Sequence, residues 1–359
     1  MSKRIPQLDG IRGIAILSVF LFHAPLLPAH LRGVMWIGVD LFFILSSFLI
    51  TGVLLKSREL EFGPYVGRFY ARRVRRILIP YLLTLAIATL FIGTAWMRHA
   101  YLYLGLTNLL QPLRIAQPYQ LSPLWSLAVE EQFYFVWPIA VFFLSRRNLT
   151  RLATAMLLLA PLLRGLCHFH DYSPIYMLPW FRMDLLAVGA LLALHWEEVA
   201  ESVGTWSWLM VAGGSGLAVE TLMGWTVFSN TRTANVLIYE SSLLLCTGCM
   251  IWAISGRRVG ILTWKPLMYL GTISYTMYLT HMFFLSMKHS PFLELGLTAG
   301  YASLSWFLIE KPLLGDRSLQ AFLAKALQIA RGSQVEGHRS GNISANTAAP
   351  PLELISPAD

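Results

Sequence analysis

Arg12 and His23 stand eleven positions apart in a stretch that reads LDGIRGIAILSVFLFH over residues 8–23 and is otherwise largely apolar. On a helix rising about 1.5 Å per residue, that interval separates them by roughly 16 Å along the axis. A charged side chain at the centre of a membrane helix costs about 2.5 to 3.5 kcal/mol on insertion scales, so its presence asks for a functional reason. Neutral histidine can take the proton of a hydroxyl as the oxygen attacks an acyl carbon, while a nearby carboxylate holds the tautomer and stabilises the imidazolium. Arginine suits phosphate. The pair therefore fits acyl transfer from an extended thioester carrier such as acyl-coenzyme A, with nucleotide phosphates at the Arg12 end and the reacting carbon at the His23 end.

The elements that must carry these residues are membrane helices. Hydrophobic residues make up 56% of the chain and charged residues 13%, a balance foreign to a soluble domain. Apolar stretches near twenty residues, the length that crosses about 30 Å of hydrocarbon, fall near 11–30, 34–55, 77–96, 124–144, 151–169, 175–195, 206–228, 235–254, 266–287 and 294–312. The expected fold is an all-α polytopic bundle of about ten transmembrane helices over residues 1–315, followed by a polar, disordered cytoplasmic tail at 316–359. Most of the 28 Lys and Arg residues fall on the side that holds the N-terminus. Arg32, Arg98, Arg114, Arg164, Arg232 and Lys288 fall on the other, so both termini are expected in the cytoplasm. Basic residues beside helix ends also account for the +9 net charge through orientation and anionic headgroups, without nucleic acid. The three cysteines suggest neither a redox pair nor a metal site, and no cleavable leader is evident.

Depth along the predicted helices brings further ionisable residues toward His23. Asp40 in GVDLFF, Glu130 and Glu131 in LWSLAVEEQFYFVWP, Arg182 and Asp184 in PWFRMDLLAVG, and His281 in SYTMYLTHMFF are all placed in the outer third of the bilayer. Asp40, Glu130 and Glu131 compete to be the carboxylate beside His23. Adjacent glutamates diverge by about 100° on a helix, so only one can point fully inward, and Glu131 is preferred. Arg182 and Asp184 read as an internal pair that compensates buried charge, and His281 as either a second polar contact or a packing residue. At the other end, FGPYVGRFYARRVRRILIPY carries Arg68, Arg72, Arg73, Arg75 and Arg76. With helical spacing, Arg68, Arg72, Arg75 and Arg76 share a face able to hold a polyphosphate or to lie on anionic lipid. Glu310 and Lys311 are expected near the donor's entrance.

These segments, taken in order, resemble the acyltransferase-3 family of bacterial integral-membrane O-acyltransferases over nearly all of residues 5–313. Arg12 and His23 match its Arg, ten residues, His motif; GVDLFFILSSFLIT, FYARRVRRILIPY, LWSLAVEEQFYFVWP, GTISYTMYLTH and WFLIEKP match later segments. The resemblance implies transfer of an acyl group, commonly acetyl, from cytoplasmic acyl-coenzyme A to a hydroxyl of a carbohydrate, glycolipid or polysaccharide precursor. It implies His23 as the catalytic residue, the bacterial cytoplasmic membrane as the location, and no metal. Members often carry glycine after the serine of the second segment. This chain has Ser47 after Ser46, which either narrows the acyl passage or packs a helix. Some relatives also carry a fused esterase-like domain, and its absence is expected to mark a stand-alone version, which argues against peptidoglycan as acceptor. Tyr101, Tyr103, Tyr119, Trp125 and Tyr172 are candidates to stack on a sugar. The competing class is a proton-coupled transporter or flippase, which leaves the arginine cluster without a role.

Overall fold

The structure, a computed structural model, describes residues 5–201 and 204–315, so the expected tail lies outside the described residues. It is helical, and each of the predicted apolar ranges holds a helix. In chain order these are α1 (Pro6–His23), α2 (Ile37–Lys56), the arginine-bearing α3 (Phe62–Arg73), α4 (Ile79–Ile92), α5 (Leu124–Phe143), α6 (Arg146–Leu166), α7 (Met183–Leu194), α8 (Thr205–Leu222), α9 (Arg232–Ser255), α10 (Lys265–Leu285) and α11 (Pro291–Ser305).

Among the described residues, five helical stretches are both long and apolar enough to cross a membrane: Ala29–Lys56, Phe62–Ile92, Arg146–Leu166, Arg232–Ser255 and Pro291–Leu314. The expectation of about ten is met in that criterion only by these. Composition explains much of the shortfall, because α1 carries Asp9 and Arg12 while α5 carries Glu130 and Glu131. Length explains α7, whose 12 residues span only about 18 Å. With this many apolar helices, the chain is an integral membrane protein.

At the centre, α1 packs between α2 and α10; α2 packs on α7, α6 on α7, α8 on α9 and α10 on α11. Close approach of α1 to α10 depends on glycine. A Cβ at Gly271 would run into the Asp9 carbonyl, and one at Gly10 into the Leu262 carbonyl. Helix α1 starts earlier and stops earlier than expected. It ends at His23, with Ala24 already extended, because Pro25 and Pro28 disfavour helical conformation in the residues before them. Two π-helical turns interrupt regular helix, Val74–Leu78 between α3 and α4, and Trp306–Glu310 after α11. Each adds one residue to a turn and rotates the side chains beyond it. The connection between α4 and α5 is built of short 3₁₀ turns packed onto Tyr81, Leu85 and Leu279. Gln132 pins it by donating to the Gly105 carbonyl and to Asn108 Oδ1, both at 2.9 Å.

Candidate active site

His23 occupies the last position of α1 and is partly exposed. Its Nδ1 lies 2.9 Å from the Val19 carbonyl oxygen, one turn back. That oxygen can only accept, so in the neutral ring Nδ1 carries the proton and Nε2 the lone pair. The ring centroid of His281 lies 5.0 Å away. His281 is completely buried on α10, and its Nδ1 is held in the same manner by the Tyr278 carbonyl at 2.8 Å. Its Nε2 is buried without a hydrogen-bond partner. An unsatisfied buried acceptor costs about 1 to 3 kcal/mol, and its position beside a second imidazole leaves a place for a shared proton. His281, a polar contact or a packing residue by sequence, is thus the neighbour of His23.

None of the three candidate carboxylates takes the place expected of it at His23. The Val19 carbonyl sets the tautomer instead. Asp40 accepts from Arg182 and, at 2.6 Å, from the Ser242 hydroxyl. The pairing expected between Arg182 and Asp184 is exchanged: Asp184 receives Arg164 Nη2 at 2.6 Å, and Arg164 also binds Glu240. Arg182 is enclosed by Trp36, Phe43, Tyr176 and Tyr239, with its guanidinium carbon 4.8 Å from the Tyr239 ring centroid. Ring quadrupoles supply part of the solvation that this charge loses on burial. Arg164 and Glu240 were not singled out by sequence, although a lone Arg and a lone Glu in apolar helices are the signal that would have found them.

Glu130 belongs to the other end of the site. Its Oε2 accepts the Tyr134 hydroxyl at 2.6 Å, Arg73 and Arg12 are the cations that act on it, and Ser46 Oγ donates to the Phe43 carbonyl at 3.0 Å. Glu130 therefore leaves the outer layer inferred from depth, although α5 begins at Leu124 as expected. Glu131 diverges from its neighbour, approaching Gly105, Tyr81 and Tyr275. Ser47 donates to the Leu186 carbonyl of α7 at 2.5 Å, which is the packing role. Trp125 is buried, its ring 4.6 Å from Tyr176, and Tyr103 is buried too, so neither offers a face to a sugar. Tyr101 and Tyr119 are exposed, and Tyr172 packs on Phe228 with ring centroids 4.9 Å apart.

The single arginine face expected of α3 is broken by the π turn. Arg68 and Arg72 stay exposed, while Arg75 folds back so that Nε donates to the Ala71 carbonyl at 3.1 Å. Arg73 turns inward, 4.7 Å from the Tyr134 ring centroid. Arg76 reaches a cavity of about 1160 Å³ that Arg12, Lys56 and Arg146 also line. Asp9 and Glu197 are acidic residues in that lining, and Asp9 already engages Arg12 at 2.7 Å. The cavity is thus cationic on balance and suited to phosphate oxygens. Trp306, at the second π turn, closes part of its wall, and Glu310 near by is bound by Thr276 at 2.6 Å.

The sequence that builds this helical bundle is matched by known proteins. The acyltransferase domain family matches residues 5–309. The chain belongs to that family, and its helical core is an acyltransferase domain. It is 28% identical over 362 residues to the putative peptidoglycan O-acetyltransferase YrhL of Bacillus subtilis, covering 87% of this chain and 55% of the relative. It is 27% identical over 383 residues to the O-acetyltransferase OatA of Staphylococcus aureus, covering 92% of this chain and 60% of the relative. The chain therefore spans less than two thirds of the length of these relatives. No solved structure matches it.

Proposed function

We propose that the protein is an O-acetyltransferase of the bacterial cytoplasmic membrane that moves an acetyl group from acetyl-coenzyme A to a hydroxyl of a carbohydrate acceptor. The observation that carries this reading is the division of α1, with Arg12 in a cationic cavity and His23 beside His281 at the opposite end. About 16 Å of helix separates them, a span suited to an extended thioester arm. The reading takes the bundle to cross the membrane ten times with both termini in the cytoplasm, so that the cavity opens inward and His23 lies toward the outer face. Peptidoglycan enters as a candidate acceptor because the name of one relative specifies it, against the sequence-based expectation.

In this mechanism Arg12 and Arg76, with Lys56 and Arg146, hold the phosphates of the donor. The acceptor's hydroxyl loses its proton to His23 Nε2 as its oxygen attacks the thioester carbon. Collapse of the tetrahedral intermediate breaks the C–S bond, and the departing thiolate takes the proton from the His23 imidazolium, leaving ester, free thiol and neutral His23. The Val19 carbonyl holds the imidazolium through Nδ1–H, and His281 Nε2 accepts the hydrogen bond of the newly protonated His23 Nε2. General-base assistance of this kind contributes about 10²- to 10⁴-fold.

Purified protein given labelled acetyl-coenzyme A and glycan from a strain lacking the protein should transfer label to the glycan. His23→Ala should abolish that transfer while donor binding, measured by equilibrium dialysis, persists. Transfer by the variant at the original rate would remove His23 from the reaction.

A further inference from the structure

A second, smaller cavity of about 230 Å³ lies at the His23 end of the bundle. The chain itself fixes that placement: its walls come from Ala29 to Val34, directly after α1, and from the end of α8 with the turn that follows, including Trp225 and Val227. Glu220 is its acidic group. The side chain is only 6% exposed; Ser241 donates to Oε1 at 2.7 Å, and Oε2 is buried without a partner. Oε2 lacks a donor within the protein, and a turn of the carboxylate toward the cavity that Glu220 lines lets a ligand hydroxyl supply one. The volume suits one small ring, below the roughly 300 Å³ at which drug-sized sites begin. Between the cavity and His23 runs an aromatic path. Phe228, 48% exposed, follows Val227 and packs on Phe22 with centroids 6.1 Å apart, and the Phe22 ring lies 4.9 Å from His23.

We infer that this cavity is an acceptor subsite: it receives a sugar ring adjacent to the one being acylated, a hydroxyl of that ring donates to Glu220 Oε2, and the Phe22–Phe228 pair supports the glycan between the two positions. The assignment rests on the proposed transfer to carbohydrate and extends it to a glycan of at least two residues. Trp225 offers an apolar face of the kind that sugar C–H groups cover.

The test uses the full-length protein reconstituted in lipid, labelled acetyl-coenzyme A, and the unacetylated glycan fraction from a strain lacking the protein. Glu220→Gln keeps the shape but weakens acceptance from a hydroxyl, and should raise the apparent KM for glycan about tenfold, the weight of one charge-assisted hydrogen bond. The kcat should stay within about twofold and the KM for acetyl-coenzyme A should not move, since the site lies away from the donor and the reacting atoms. Glu220→Asp should fall between the two. An unchanged glycan KM in Glu220→Gln would overturn the subsite. A loss of kcat with a matching loss of thermal stability would also overturn it, by showing a structural role. Absence of transfer by the unaltered protein would instead overturn the proposed function.

Discussion

Two buried polar clusters lie close together and are built on opposite terms. Around Arg182 and Arg164, the guanidinium charges meet Asp40, Asp184 and Glu240 and are walled by aromatic rings. Around His23 and His281, each Nδ1 is tied to a backbone carbonyl and no carboxylate is bound. The first cluster matches charge with charge, so it holds four helices and the segment before α7 in register. The first also leaves donors open, at Arg164 Nε and at Arg182 Nε and Nη1, whereas the second leaves an acceptor open at His281 Nε2. What sets the second cluster apart is thus an open acceptor on a neutral ring, since a guanidinium with open donors cannot take up a proton.

Substitutions can break that contrast. The largest effect should come from His23→Gln, with transfer down about 10²- to 10⁴-fold and the melting temperature in detergent almost unchanged; a large drop in that temperature would place His23 in the structural class. Next, Arg182→Met strands Asp40 without its cation and should destabilise the fold by about 3 to 5 kcal/mol, read as loss of monodisperse protein. If that variant stays folded and merely slows, the cluster is catalytic after all. His281→Ala should lower kcat about tenfold or more by removing one hydrogen bond to a charged imidazolium, with the donor KM preserved. The smallest effect is expected from Arg12→Gln, a rise of about tenfold in the KM for acetyl-coenzyme A with little change in kcat. An unchanged donor KM would detach the large cavity from the nucleotide.

Much of this was legible in the residues. Apolar length located the helices, and the interval from Arg12 to His23 fixed their separation once a helix was assumed. Other features needed the folded chain. Ser47 meets the Leu186 carbonyl across 139 positions, a contact no local period reports. Arg182 exchanges its expected partner for Asp40, 142 positions away. The π turn at Val74–Leu78 falls within the arginine segment, where Arg76 joins Arg12 at the cavity while Arg75 stays beside Arg72. His281 was visible as a residue, but its bare Nε2 is a property of packing. The end of α1 was the readable miss, since Pro25 and Pro28 both mark it.

The backbone contacts at Gly10 and Gly271 have a mechanical consequence. Gly271 of α10 meets the Asp9 carbonyl of α1, Gly13 of α1 meets the Leu267 carbonyl of α10, and Gly10 meets Leu262 in the turn before α10. Backbone this close resists sliding of one helix past the other, and Arg12, His23 and His281 all lie on these two helices. In the proposed reaction, any movement that admits a glycan falls to the other helices and loops, as a door swings on a post that carries the lock.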